Sequence, residues 1–148
     1  MGELELYIVH DINDAADAKA LADGLKTRLQ ARLASSAKGR LADVAVPKIQ
    51  TREGIETLPA VGEIAPLALV LLVLPGRDFT APERAVISTF LGQSGDELRL
   101  LPVACVKERF KPPEPLHEKV SADVDLRDDG RSLDRLTTWA LIQLCLRT

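Results

Sequence analysis

The chain has 148 residues, of which 46% are hydrophobic and 28% charged, with a formal net charge of −3. A single domain over residues 1–148 is large enough to fold without a disulfide or a metal. Basic residues are not in excess and aromatic residues are 3% of the chain, so we expect no direct nucleic-acid partner. The longest apolar run is far shorter than the roughly 20 residues that span a bilayer. With no signal-peptide pattern at the N-terminus, we expect a cytoplasmic protein without a membrane partner.

The first third of the chain predicts two strands around an amphipathic helix. Residues 4–9 (LELYIV) are apolar and bounded by polar residues, which is typical of a central strand. Apolar residues in the range 18–33 recur every three or four positions and predict a helix that ends near Ser35. Residues 44–46 (VAV) predict a second, short strand. The proline after them indicates either that its backbone pairing is interrupted there or that it lies near an edge.

The middle of the chain contains the clearest strand. Residues 48–54 (KIQTREG) are polar and predict an exposed loop, and residues 59–64 favour a short helix beginning at a proline. Residues 67–74 (LALVLLVL) are an unbroken apolar run, which is typical of a strand buried on both faces of a parallel sheet. Residues 82–91 predict the next helix, with a proline near its first position.

The last third predicts a fourth strand and a closing helix. Residues 100–106 (LLPVACV) form another buried strand, residues 107–125 are too rich in proline to be regular, and residues 133–146 form a helix. Alternation of strands and helices predicts an α/β fold. We therefore expect a flavodoxin-like, open, mostly parallel sheet of four to five strands with helices on both faces.

Motifs for several common activities are missing. There is no GxGxxG, no P-loop and no GxSxG, so dinucleotide, nucleotide and serine-hydrolase sites are not predicted. Residues 67–75 contain no aspartate that could be phosphorylated, as a receiver domain requires. His10 and His117 lack metal-ligand spacing, and Cys105 and Cys145 lie in apolar patterns typical of core residues. We therefore expect no metal and no bound cofactor.

The order of elements resembles TIR (Toll/interleukin-receptor) domains. Residues 7–25 (YIVHDINDAADAKALADGL) are similar to the first conserved box of that family, and residues 51–54 (TREG) fall where it has its BB loop. Residues 67–83 (LALVLLVLPGRDFTAPE) resemble the third strand of that family and the loop that follows it. Residues 100–116 (LLPVACVKERFKPPEPL) resemble its fourth strand and the proline-rich loop after it. The resemblance covers nearly the whole chain and implies a bacterial, divergent TIR-like module of a larger protein.

The resemblance also locates where catalysis would occur. Many members of the family cleave NAD with a glutamate in the helix after the third strand, and that position falls near Ser88 here. Pro75 occupies the position where TIR domains normally have a serine at the end of the third strand, and Arg84 occupies the position of their usual tryptophan. Glu83 is the carboxylate nearby, but it lies at the helix start, where an acid stabilises the helix dipole. We therefore expect Glu83 to be structural, with no catalytic residue in the chain.

Three functions remain open at this point. The first is a TIR-like protein–protein interaction module in bacterial immune signalling, without catalysis, which binds a protein partner or itself through exposed loops. The second is an NAD glycohydrolase that uses Glu83, with NAD as its substrate. The third is an α/β scaffold with an unrelated small-molecule site. Five residues are candidates for the interaction loops, although the pair at residues 77–78 is more typical of a solvated loop tip: Arg52, Glu53, Gly54, Arg77 and Asp78.

Overall fold

A computed structural model describes residues 5–35, 48–63, 68–75, 77–94, 100–105, 122–123 and 130–147. The strands are β1 (Glu5–His10), β2 (Lys48–Glu53), β3 (Leu69–Val73), β4 (Leu100–Ala104) and β5 (Ala122–Asp123). The helices are α1 (Ala15–Ser35), α2 (Ala81–Ser94) and α3 (Arg131–Arg147), with short 3-10 turns at Ile12–Asp14, Ile55–Thr57 and Val61–Glu63. None of these helices combines the length and apolarity needed to cross a bilayer.

The five strands form one sheet in the order β2-β1-β3-β4-β5, and every described pairing is parallel. This is the flavodoxin-like strand order, in which the chain moves outward from β1 in both directions. The predicted α/β, flavodoxin-like class is therefore confirmed. β3 occupies the middle of the sheet and is buried along its whole length, as its unbroken apolar sequence predicts.

Helices cover both faces of the sheet. On one face, Leu21 of α1 and Leu136 of α3 pack with Leu71 in one buried cluster. On the other face, Ile87 and Phe90 of α2 pack in a second cluster. Because both faces are covered, the carboxyl-end edge of the sheet is the place where strand-end side chains meet, as in other open α/β sheets.

Each side of α1 has a separate role. The buried stripe of Ala18, Leu21, Leu25 and Leu29 faces the sheet. One flank of this stripe packs against α3, where Arg28 Nε lies 3.0 Å from Asp134 Oδ1. At 3.6 residues per turn, the opposite flank faces the edge strand β2.

One prediction for the middle of the chain is wrong and another is only partly right. Residues 48–54 were predicted to be an exposed loop, but residues Lys48–Glu53 form β2. The backbone of this segment is satisfied by pairing with β1, although its side chains are only partly buried. Residues 59–64 were predicted to be a short helix, and within this range the structure has a short 3-10 helix at Val61–Glu63. The strand predicted at residues 44–46 lies outside the described residues.

The remaining predicted elements exist, with shifted ends. α2 begins one residue earlier than predicted and continues through Gly92 to Ser94. β3 and β4 are slightly shorter than their apolar runs. Of the segment 107–125, predicted to be irregular, only Ala122–Asp123 is described, and it forms the short strand β5.

Candidate functional site

The candidate site lies at the carboxyl ends of β1 and β3, where the strand order reverses. β1 pairs with β2 on one side and with β3 on the other, and crevices at such switch points are where open α/β sheets bind ligands. Asp11 directly follows β1, and Arg77 lies in the loop between β3 and α2. The ends of two neighbouring strands thus bring these side chains together across 66 residues of sequence.

Arg77 joins two carboxylates across this crevice. Its Nη1 donates to Glu83 Oε1 at 2.8 Å and its Nη2 donates to Glu83 Oε2 at 3.0 Å. Nη2 also donates to Asp11 Oδ1 at 3.0 Å. The fork of the guanidinium matches a carboxylate in this two-bond arrangement, which is stronger than a single contact. We call Asp11, Arg77 and Glu83 the crevice network.

Glu83 is also fixed by the start of α2. The backbone N–H of Thr80 donates to Glu83 Oε1 at 2.8 Å, and the backbone N–H of Glu83 donates to Thr80 Oγ1 at 3.4 Å. This reciprocal pair is a capping box, which satisfies backbone N–H groups that have no partner within the helix. The Glu83 side chain is only 4% exposed. Its bond with Thr80 at the start of the helix and its ion pair with Arg77 together hold it in one position.

The charge of Glu83 is stabilised in this position. Hydrogen bonds from Arg77, followed by the N–H of Thr80, outweigh the effect of burial and lower the pKa of Glu83 to about 2. The hydrogen bonds with Glu83, followed by the one with Asp11, raise the pKa of Arg77 above its ordinary value. A carboxylate with a pKa this low stays ionised at neutral pH, which makes it a poor general acid or base.

The crevice network adds to one prediction from the sequence. Arg77 and Asp78 were predicted to be a solvated loop tip, and both are exposed. The Arg77 guanidinium is in addition held by two carboxylates and donates to the Asp78 carbonyl oxygen at 2.9 Å. The side chain of Asp78 is exposed, as predicted. The loop is therefore anchored at Arg77 and presents Asp78 to solvent.

The three remaining candidates lie at the end of β2 and not in a free loop. Arg52 lies over the ring of Tyr7, 5.3 Å from its centroid, and donates to the Thr57 carbonyl oxygen at 3.3 Å. Glu53 is exposed. Gly54 has a φ of 95° and donates its N–H to the carbonyl oxygen of His10 at 2.7 Å. The two candidate segments therefore lie on either side of the end of β1.

The catalytic position that the TIR resemblance implied provides no carboxylate. Ser88 is exposed on α2, while Pro75 is buried at the end of β3. Arg84 donates to the carbonyl oxygen of Phe79 at 3.0 Å and so strengthens the first turn of α2. Among the described residues, Glu83 is the carboxylate of α2 nearest to the crevice.

Two residues of this site were not selected from the sequence. Thr80 was detectable, because threonine three positions before Glu83 is the capping-box pattern. Asp11 was not among the candidate site residues. Its contact with Arg77 depends on the pairing of β1 with β3, which no local pattern reveals.

Metal and thiol chemistry find little support in the described part of the chain. No group of three or more His, Cys, Asp or Glu side chains there has the geometry to hold a metal ion. Burial, with smaller contributions from the carboxylates of Asp17 and Asp14, raises the pKa of Cys105 to about 12. A thiol with this pKa is unreactive at neutral pH.

No family model and no curated protein matches this chain. Among solved structures, the chain is similar to c3406 of E. coli CFT073, solved as a complex with a ligand, at 15% sequence identity and a TM-score of 0.43. That match covers 97% of this chain and 69% of the other. A likeness at this level identifies neither a family nor a function.

Proposed function

We propose that this chain is a TIR-like protein–protein interaction module in bacterial immune signalling, without catalysis of its own. The observation that carries the proposal is the state of Glu83, the carboxylate nearest to the family's catalytic position. It is buried, paired with both Nη atoms of Arg77 and bonded to the start of α2. These three hydrogen bonds give the carboxylate a sufficient structural role.

The surfaces proposed for association are the exposed side chains on either side of the β1 end. Glu53 and Asp78 are both exposed, and neither has an ion-pair partner among the described residues. Exposed polar residues held on a rigid edge suit docking, because little conformational entropy is lost when a partner binds. The adjoining residues Arg52, Gly54 and Arg77 hold these two segments in place through the contacts described above.

The second candidate function is NAD cleavage by Glu83. One observation favours it: the crevice network places this carboxylate at the switch point of the sheet, linked through Arg77 to Asp11. For Glu83 to act, Arg77 would have to release it. The alternative therefore requires a rearrangement of the loop between β3 and α2.

Two measurements on the purified chain separate these functions. Light scattering over a range of protein concentrations should reveal self-association, and the immobilised chain should retain a protein partner from a bacterial extract. Charge reversal in the double variant Glu53→Lys, Asp78→Lys should weaken either one. Arg135→Glu, an exposed change on α3, should not. Incubation with NAD at high protein concentration and with a crowding agent should release no nicotinamide. Nicotinamide release that disappears in Glu83→Gln would instead establish the enzyme.

A further inference from the structure

A groove of about 460 Å3 lies between α1 and the edge strand β2. Parallel pairing places Ile8 beside Thr51 and His10 beside Glu53, and alternate residues of a strand face the same side of a sheet. The ends of β1 and β2 therefore present polar side chains to the face that α1 covers. The groove lining includes His10, Lys19, Asp23, Ile49, Thr51 and Glu53.

The charged groups of this groove are not neutralised by neighbours. Lys19 and Asp23 are one helical turn apart on the flank of α1 that faces β2, and Glu53 closes the strand. None of the three has an ion-pair partner among the described residues. The opposite flank of α1 differs, since Arg28 there is paired with Asp134. One cation and two anions thus face the same groove.

His10 adds a buried acceptor to the groove. Its side chain is among the buried polar groups, with the residue only 5% exposed. Nδ1 lies 2.8 Å from the carbonyl oxygen of Asp11, and because a carbonyl oxygen only accepts, Nδ1 must donate. In the neutral ring Nε2 is then an acceptor, and within the described residues it has no hydrogen-bond partner. A buried acceptor without a donor costs free energy. A ligand that donates a hydrogen bond to Nε2 would remove this cost and bind more tightly.

We propose that this groove binds a small zwitterion of the α-amino acid class. The ammonium group donates to His10 Nε2 and pairs with the carboxylate of Glu53, which lies beside His10 in the strand pairing. Asp23 adds a second negative charge to the groove, and the ligand carboxylate pairs with Lys19. The side chain of Ile49, which packs at the edge of the core, provides an apolar wall for the ligand's carbon atoms. A metal ion fits less well, because no described group of acidic and histidine side chains has metal-binding geometry. The groove shares Glu53 with the surface proposed for association, but its ligand binding is measured separately.

Calorimetric titration of the full chain with each of the twenty common L-amino acids tests the proposal. We expect at least one to bind saturably with one-to-one stoichiometry. For that amino acid, the decarboxylated amine and the N-acetyl derivative should each bind at least about tenfold more weakly, as expected when one charge-assisted hydrogen bond is lost. If no amino acid binds, or if the amine binds as tightly as the amino acid, the proposal is wrong.

Variants with exposed substitutions locate the site. Lys19→Gln and Glu53→Gln should each weaken binding at least about tenfold, and both should fold because neither side chain is buried. Lys26→Gln on the same helix and Glu56→Gln just after β2 remove equivalent charges that do not line the groove, and both should leave binding unchanged. Full affinity in Lys19→Gln and Glu53→Gln, with circular dichroism showing folded protein, would place the binding elsewhere and overturn the assignment. Because the readout is ligand binding, failure here leaves the association and NAD measurements unaffected.

Discussion

Replacement of Glu83 by glutamine tests the crevice network directly. The substitution keeps the size of the side chain and one acceptor oxygen, but it removes the charge that pairs with Arg77. A first-turn acid acting only on the helix dipole would contribute a few tenths of a kcal/mol to about 1 kcal/mol. The structure predicts a larger loss, since Glu83 also forms two bonds with Arg77 and one with the N–H of Thr80.

The pKa of Glu83 sets the upper limit of this effect. Lowering that pKa from 4.5 to about 2 corresponds to at most about 3 kcal/mol of folding free energy at neutral pH. The Arg77 side chain is 41% exposed, so water and salt screen the pair, and we expect about 1 to 2 kcal/mol. The folded-state pKa lies below the unfolded one, so this stabilisation is complete above about pH 5 and is lost as the pH falls toward 2.

Urea unfolding monitored by circular dichroism measures the effect. At pH 7 the wild type should exceed Glu83→Gln in unfolding free energy by the amount above, and at pH 3 the difference should fall to about half or less. Comparing two proteins at each pH cancels the titration of the other carboxylates. Equal stability at pH 7, or a difference that does not change with pH, would show that the ion pair contributes nothing.

Three other changes have clear expected outcomes. Leu71→Asp places an unpaired carboxylate in the middle of the sheet and should abolish the cooperative thermal transition, whereas Ile142→Asp, at a residue that is 51% exposed, should retain it. Gly54→Ala should lower the unfolding free energy in urea by about 1 to 3 kcal/mol, because its φ of 95° is strained for any side chain. In a Cys145→Ser background, Cys105 should react with Ellman's reagent at pH 8 far more slowly in the native protein than in urea, since its pKa is raised to about 12. Equal reaction rates in the two conditions would mean that the native fold does not protect the thiol.

The fold was predictable where burial alone determines an element. β3 and β4 are covered on both faces, so continuous apolar sequence located them within two residues. β2 was missed because it is an edge strand with a polar sequence, and its conformation depends on backbone pairing with β1. That pairing joins residues more than 40 positions apart, and the pattern within either segment carries no information about it.

The candidate site was predictable only in its local part. The position of Glu83 in the first turn of α2 follows from the sequence, as does its bond to Thr80. The role of Arg77 does not follow, because an arginine beside a glycine and an aspartate is ordinary for a loop. Its partner Asp11 becomes a neighbour only after β1 and β3 have paired.

The strand order has a consequence for synthesis of the chain. β1 is made first, yet both of its partners, β2 and β3, lie later in the sequence, so one of its edges stays open until residue 53 has left the ribosome and the other until residue 73 has done so. The third strand in turn lacks its outer neighbour until residue 104 has emerged. Nascent chains of intermediate length therefore carry an apolar strand with unpaired edges, which is the kind of segment that chaperones bind and that aggregates when they do not.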